Sequence, residues 1–248
     1  IDTLGSIFGA VVTGALQLQD NSSLSIANGA IGSIAGGWVG FGGPISLGSQ
    51  SVISTSTLGA SQWASTAMLL GTITSSASGY NALGKVGDGL LVLGGNNTAS
   101  FNADLRVGGG VLMLANANAL PSGTTFIGRP YTSYTGGNTG YSVAGSNLII
   151  VGSASVGGLN LIMGGSVMVG GSPYLVTGLL SDGTSFTISG TAASTGVANV
   201  AAPALPASLD LNGLNGVIGN VVLAGSGTTT PFAANSMATL WNSAAGTA

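Results

Sequence analysis

Acid–base, nucleophilic or metal chemistry in this chain would need its charged side chains. The 248-residue chain carries only nine, and it has no His, no Cys and no Glu. Nucleophilic triads that use His or Cys are therefore excluded, as are metal sites built from His or Cys. The nine residues are Asp2, Asp20, Asp88, Asp104, Asp182, Asp210, Lys85, Arg106 and Arg129.

Paired carboxylates are the chemistry that this set still permits. Glycoside hydrolysis needs two of them about 5 to 9.5 Å apart, but the Asp residues are scattered along the chain. A polysaccharide lyase would need several carboxylates for calcium and a basic catalyst. Asp104 and Arg106, two apart on one strand face, are interpreted as an exposed ion pair worth under about 1 kcal/mol. We assign no catalytic, metal or cofactor residue, expect no cofactor, and predict that the chain is not an enzyme.

Composition limits the partners and the class of fold. Charged residues make up 4 % of the chain, Gly occupies 45 positions, and the formal net charge is −3. Three scattered cations cannot form the basic surface that nucleic acid requires. Low charge with high hydrophobicity is the reverse of a disordered composition. Gly, Ser or Asn interrupts every apolar string well short of about 18 residues, so no membrane-spanning helix is predicted.

Short β-favouring strings recur along the chain and are typical of a sandwich, a barrel or a β-solenoid. Brief alternation such as "ADLRV" (103–107), few Asn-Gly hairpin signals, and Asn beside strand ends favour the solenoid. We predict one all-β domain over 1–248, a parallel β-helix of roughly ten coils with irregular terminal segments. Its predicted structural corners are Gly87, Gly89, Gly95, Asn97, Asn116, Asn118, Asn212 and Asn215.

Residues 83–124 resemble a known motif, the autotransporter-associated β-strand repeat found in passenger regions of exported bacterial surface proteins. The pattern "K-x-G-x-G-x-L-x-L-x-G-x-N" matches from Lys85 to Asn97, and "G-x-L-x-x-x-N-A-x-A-L-x-S-G" matches from Gly110 to Gly123. The segment "LDLNG" (209–213) resembles the usual continuation. The chain departs from the pattern at residues 97–101, where the family has an aromatic corner. The resemblance implies a right-handed parallel β-helix that is exported and lies at, or is released from, the bacterial cell surface.

The segment 128–142, "GRPYTSYTGGNTGYS", is predicted to be an exposed loop that leaves the coils. It holds Tyr131, Tyr134 and Tyr141, which makes it the candidate for a lateral contact.

The predicted function is structural. The first and last segments of the chain carry one charge between them and no proline, so nothing in them blocks an open strand edge. We therefore expect an extracellular subunit whose partners are copies of itself, joined end to end in a filament or layer. The alternative is a monomeric adhesin or carbohydrate-binding passenger that binds surface glycans through the three tyrosines.

Overall fold

The fold is seen in a computed structural model. It describes residues 10–28, 38–57, 65–75, 79–129, 132–134, 140–142, 145–151, 159–180, 183–193, 195–223 and 238–243. This part of the chain is all-β, contains no helix, and pairs its strands mostly in parallel. The prediction of an all-β chain is confirmed.

The parallel strands are short and rich in Val, Ile, Leu and Thr, the residue types that suit a pleated, half-buried surface. They are β1 (Ala10–Val12), β2 (Leu16–Leu18), β3 (Ser23–Asn28), β4 (Trp38–Phe41), β5 (Ile45–Leu47), β6 (Ser51–Thr57), β7 (Thr66–Leu69), β8 (Ile73–Ser75), β9 (Gly79–Val86), β10 (Leu90–Leu93), β11 (Ala103–Val107), β12 (Val111–Leu114) and β13 (Thr124–Ile127).

The antiparallel strands follow, and three further parallel strands close the described chain. The antiparallel set is β14 (Thr132–Tyr134), β15 (Gly140–Ser142), β16 (Leu148–Val151), β17 (Ser166–Val169), β18 (Ser172–Leu179), β19 (Ser185–Ile188), β20 (Gly196–Ala198) and β21 (Val200–Ala202). The later parallel strands are β22 (Ser208–Asp210), β23 (Asn220–Leu223) and β24 (Thr239–Trp241).

Three parallel sheets receive these strands in turn. The order is β1-β4-β7-β10-β12-β22-β24 in the seven-stranded sheet, β3-β6-β9-β11-β13-β23 in the six-stranded sheet, and β2-β5-β8 in the three-stranded sheet. Consecutive parallel strands along the chain belong to different sheets. Each time the chain returns to a sheet, it adds one strand to the edge of that sheet. We call one such round of the chain a layer.

Side chains of one strand face lie in rows across the layers, because parallel strands pair in register. One row of the seven-stranded sheet passes through Val39, Ala67, Leu91, Leu112 and Leu209, all of them buried. Similar rows of the other two sheets meet it in one aliphatic core, which also holds Phe41 and Phe101. Burial of these rows is the main stabilising contribution.

The described strands between residues 132 and 202 form an eight-stranded antiparallel sheet, in the order β14-β21-β17-β18-β19-β16-β15-β20. The prediction of roughly ten parallel coils along the whole chain is wrong for this segment. Gly170 and Gly171, with φ of 59° and 83°, make the two-residue turn between β17 and β18. A Gly-Gly pair with positive φ at both positions closes an antiparallel hairpin, as an Asn-Gly pair does.

The antiparallel sheet packs against the outer face of the six-stranded sheet. Val52 and Val86, which point outward from β6 and β9, belong to its core together with Ile162 and Phe186. Arg129 and Leu205 exchange two backbone hydrogen bonds of 2.9 Å where the chain leaves the parallel strands and returns to them. The antiparallel sheet is therefore an insertion between β13 and β22, closed at its base.

The prediction that residues 128–142 form an exposed loop is also wrong for the part of this segment that is described. Residues 132–134 and 140–142 are strands β14 and β15 of the antiparallel sheet. Arg129, at the start of the segment, is buried. Residues 130, 131 and 135–139 lie outside the described residues.

Candidate functional site

All three cationic side chains of the protein are buried: Lys85, Arg106 and Arg129 are 0 %, 5 % and 1 % exposed. Burial of all three was not expected from the sequence. Buried cations must be paired or hydrogen-bonded. The partners of each cation therefore indicate which parts of the fold it joins. The outer surface therefore offers no Lys or Arg side chain for binding an anionic partner.

Lys85 lies in an inward-facing row of the six-stranded sheet, between Ile53 and Val107. Its Nζ donates to the carbonyl oxygens of Gly87 at 2.7 Å and Gly109 at 2.8 Å. The two carbonyls belong to corners of successive layers, so the amine joins one layer to the next. Burial lowers the pKa of Lys85 from 10.5 to about 7, against the opposing effect of the Asp88 charge.

The prediction of an exposed ion pair between Asp104 and Arg106 is wrong about exposure, because Arg106 is buried. Its guanidinium is buried, lies 4.2 Å from the ring centroid of Phe126, and donates to the Asn160 Oδ1 at 3.2 Å. The Asp104 carboxylate is 3.8 Å away. Asn160 belongs to the insertion, so Arg106 fastens the insertion to the six-stranded sheet.

Arg129 also holds the insertion in place, through hydrogen bonds at its base. Its Nε donates to the Pro203 carbonyl at 2.9 Å and its guanidinium to the Ser166 carbonyl at 2.6 Å. Pro203 lies two residues before Leu205, the bridge partner of Arg129, and Ser166 belongs to β17 of the insertion. The role of Arg129 is structural.

Three carboxylates accept backbone N–H groups from the following layer. Asp20 accepts from Ser49 at 2.7 Å, Asp104 from Thr124 at 2.9 Å, and Asp210 from Ser243 at 2.9 Å. Burial acts against ionisation of Asp210, but the hydrogen bonds from Ser243 and Asn212 outweigh it and lower the pKa of Asp210. These groups tie layers together, and no described group of three or more Asp could hold a metal ion.

Asn97 is the predicted corner with the most complete set of contacts. The side chain is fully buried; its Oδ1 accepts the Ile73 N–H at 2.8 Å and its Nδ2 donates to the Ala119 carbonyl at 2.8 Å. Ile73 belongs to the layer before and Ala119 to the layer after. A single amide therefore takes the place of a strand at the free edge of β8.

The other predicted Asn corners are arranged differently from one another. Asn116 Oδ1 accepts the N–H of Asn118, whose own carbonyl accepts the Asn97 N–H, both at 2.8 Å. Asn212 has a φ of 49° and donates its N–H to Asp210 at 2.8 Å. Asn215 is exposed. The structure thus brings Asn97, Asn116 and Asn118 together in one column of corners.

The predicted Gly corners lie where successive layers touch. A Cβ on Gly87 would overlap the Thr55 carbonyl, one on Gly89 the Ser65 carbonyl, and one on Gly95 the Gly71 carbonyl. Gly87 also has a φ of 81°, a conformation that L side chains rarely adopt.

Gly95 ends a column of four equivalent glycines, which we call the glycine column. Its members, Gly14, Gly43, Gly71 and Gly95, each stand two residues after a strand of the seven-stranded sheet. A Cβ on Gly43 would overlap the Gly14 carbonyl, and one on Gly71 the Gly43 carbonyl. At Gly14 the same direction points away from the layers, and no described atom lies within 4 Å. Within the described residues, the column is therefore open at its N-terminal end.

Comparison of the chain with family models, with curated proteins and with solved structures finds no match.

The three tyrosines predicted for lateral contact are only partly described. Tyr131 lies outside the described residues, and of Tyr134 and Tyr141 only the strand backbone is described. Tyr134 pairs with Val200 in β21, and Tyr141 pairs with Ile150 and Val197 on either side.

The ends of the parallel sheets are the remaining candidate site. In the described part of the chain, β1, β2 and β3 pair on one side only at the first layer, and so do β23 and β24 at the other end. None of these five strands contains a charged residue. Their exposed large apolar side chains are Val11, Val12, Val221, Val222, Leu223, Leu240 and Trp241.

The described part of the chain contains no helix that is long and apolar enough to cross a membrane.

Proposed function

We propose that the protein is a non-enzymatic structural subunit and that its copies join end to end into a filament or layer. The observation that carries this proposal is the state of the sheet ends: the seven-stranded sheet ends on both sides in uncharged edge strands with exposed apolar side chains, and so does the six-stranded sheet at its β23 end. Natural proteins protect such edges with charge, proline or a covering segment. A heterologous contact between two different ends does not close on itself and produces a fibre.

A right-handed parallel β-helix is the architecture that we propose for the three parallel sheets. Three observations support it: strands alternate among the sheets, pairing is parallel in all three, and Gly and Asn corners stack in columns. The resemblance of residues 83–124 to the autotransporter-associated repeat supports the same architecture. It also supports export to the bacterial cell surface, where a filament of low charge would be assembled.

Electron microscopy of the purified chain over a concentration series tests the function. We expect uniform fibres with strands stacked at about 4.8 Å along the axis. The variant Leu240→Lys should abolish them, because a charge would be buried at the end of the seven-stranded sheet. Ile150→Lys is the matched control: it puts the same charge on a similarly exposed side chain of the insertion, and fibres should remain. Dispersed particles of the unmodified chain at every concentration would refute end-to-end assembly.

A monomeric adhesin is the second candidate, and one observation favours it. Ile150 and Val197 are 42 % and 75 % exposed, and both pair with Tyr141 on the insertion. This row of exposed apolar side chains could contact the apolar face of a sugar ring. Binding on a glycan array that is lost in Tyr141→Ala, from a protein that stays monomeric, would establish this function instead.

A further inference from the structure

The register of the proposed joint can be derived from the rows of the seven-stranded sheet. One row begins at Ala10 in β1, passes through five buried residues, and ends at Leu240 in β24. Leu240 is 50 % exposed and Ala10 is also exposed, whereas every residue between them is buried. The row is therefore complete in its middle and exposed at both ends.

The neighbouring row on the outer face is also exposed at both ends. It begins at Val11, crosses the sheet in register, and ends at Trp241, which pairs with Asp210 in β22. Val11 and Trp241 are 51 % and 48 % exposed. An inner and an outer row thus end at the same two strands, one residue apart along the chain.

Building on the proposed function, we infer that β24 of one copy pairs in parallel with β1 of the next, with Leu240 beside Ala10 and Trp241 beside Val11. The partner is a second copy because the joint repeats the geometry by which every strand of this sheet follows the last: parallel, in register, with apolar side chains meeting in the inner row. No charged side chain stands on either strand. The carbonyl of an added layer would also occupy the open position at Gly14.

The strand order limits the backbone pairing to the seven-stranded sheet. That sheet has one more strand than the six-stranded sheet. With β24 against β1, β23 of one copy and β3 of the next are two strand spacings apart, about 9.6 Å. The described strands of the six-stranded sheet therefore leave room for one further strand at the joint and do not pair with each other across it.

Disulfide trapping tests the register, and the chain suits it because it has no Cys. In the double variant Ala10→Cys, Leu240→Cys, neighbouring copies would bring the two thiols onto adjacent parallel strands, within the Cα separation of 4.4 to 6.8 Å that a disulfide needs. The two positions of one copy are six strand spacings apart, roughly 29 Å, so no disulfide can form within a copy. Both substituted residues are exposed in the single subunit, so the fold should be kept.

The expected result is a ladder of covalent multimers on non-reducing gels after mild oxidation. The control Val11→Cys, Leu240→Cys puts one thiol on the outer face and one on the inner face, and should give at least tenfold less cross-linked product. A mixture of the two single variants Ala10→Cys and Leu240→Cys should give dimers and nothing larger. Fibres seen by electron microscopy without this ladder, or with equal ladders from both double variants, would overturn the register and leave the proposed function standing. The absence of both fibres and ladder would overturn both.

Discussion

At the scale of single residues, Asn97 shows how a side chain replaces a missing strand. Its amide satisfies an N–H of the preceding layer and a carbonyl of the following one, both in the buried core. Asn97→Ala would leave both backbone groups without a partner, at about 1–3 kcal/mol each. We expect the free energy of unfolding to fall by about 2–5 kcal/mol in urea denaturation.

Asn215→Ala is the matched control for Asn97. Asn215 was predicted as the same kind of corner but is exposed, so its removal should change stability by no more than about 0.5 kcal/mol. Equal losses in the two variants would contradict the assignment of Asn97 as a bridge between layers.

Lys85 provides a pH dependence with a definite sign. Because burial lowers its pKa to about 7, the unfolded chain binds more protons than the folded chain between pH 7 and the ordinary pKa of Lys. Stability should therefore rise with pH in that interval, by at most about 1.4 kcal/mol per pH unit, and stay level below it. Urea denaturation at several pH values from 7 to 9 would measure the slope.

The variant Lys85→Met tests whether the lysine causes this pH dependence. It keeps an unbranched apolar chain but loses the titrating amine, so its stability should be nearly level from pH 7 to 9. A slope as steep as that of the unmodified chain would show that another group causes the pH dependence.

Residue types alone predicted Asn97 better than Lys85. The Asn beside a strand end has a specific physical reason to be there, since an amide can bond to both neighbouring layers. Lys85 was matched only to the start of the repeat pattern, and lysine is rarely buried. Its position two residues after the buried Leu83 was the available signal, since alternate residues of a strand face the same side.

At the scale of elements, the glycine column decides how closely the layers approach. Gly71→Ala would push a methyl group into the Gly43 carbonyl, and the overpacking should cost about 1–3 kcal/mol or more. Gly14→Ala faces no described atom and should be neutral or stabilising by up to about 1 kcal/mol, through the entropy of the unfolded chain. Thermal unfolding of the two variants compares them, and equal effects would mean that the column does not control the spacing.

The docking of the insertion depends on Arg106. Arg106→Met should keep the apolar stem over Phe126 but lose the hydrogen bond to Asn160, at about 1.5–3 kcal/mol for a charged donor. Amide hydrogen exchange in β17–β19 should then accelerate by roughly 10- to 150-fold, while β10 and β12 should keep their protection.

Asp104→Asn separates this docking from the ion pair. The ion pair spans 3.8 Å and involves a partly exposed carboxylate, so its loss should change exchange in the insertion little. Acceleration in Asp104→Asn equal to that in Arg106→Met would show that the ion pair, and not the Asn160 contact, holds the insertion.

The insertion itself marks the limit of the sequence prediction at this scale. Short apolar strings separated by glycine are compatible with parallel layers and with antiparallel hairpins, because both need strands of similar length and tight turns. Gly170-Gly171 was the local signal for a hairpin. The outward Val52 and Val86, which it covers, look like ordinary strand residues in sequence, and only the packed structure reveals the second core.

At the scale of the whole molecule, the distribution of charge is the feature that bears on assembly. All three cations are buried, and the five strands at the ends of the parallel sheets carry no charge. End-to-end contacts would then depend on apolar burial and backbone pairing, without ion pairs between copies. Assembly of this kind has a distinctive response to salt.

Sodium chloride should therefore leave the critical concentration for assembly unchanged or lower it. Between about 0.01 and 1 M salt the Debye length falls from about 30 to 3 Å, which would weaken any joint built on opposite charges. Sulfate should lower the critical concentration, because its exclusion from protein surfaces strengthens apolar burial. Light scattering at several salt concentrations measures this, with Leu240→Lys as the variant that should not assemble under any of them. A critical concentration that rises steeply with sodium chloride would mean that charged groups make the joint, and the sheet ends described here could not be its site.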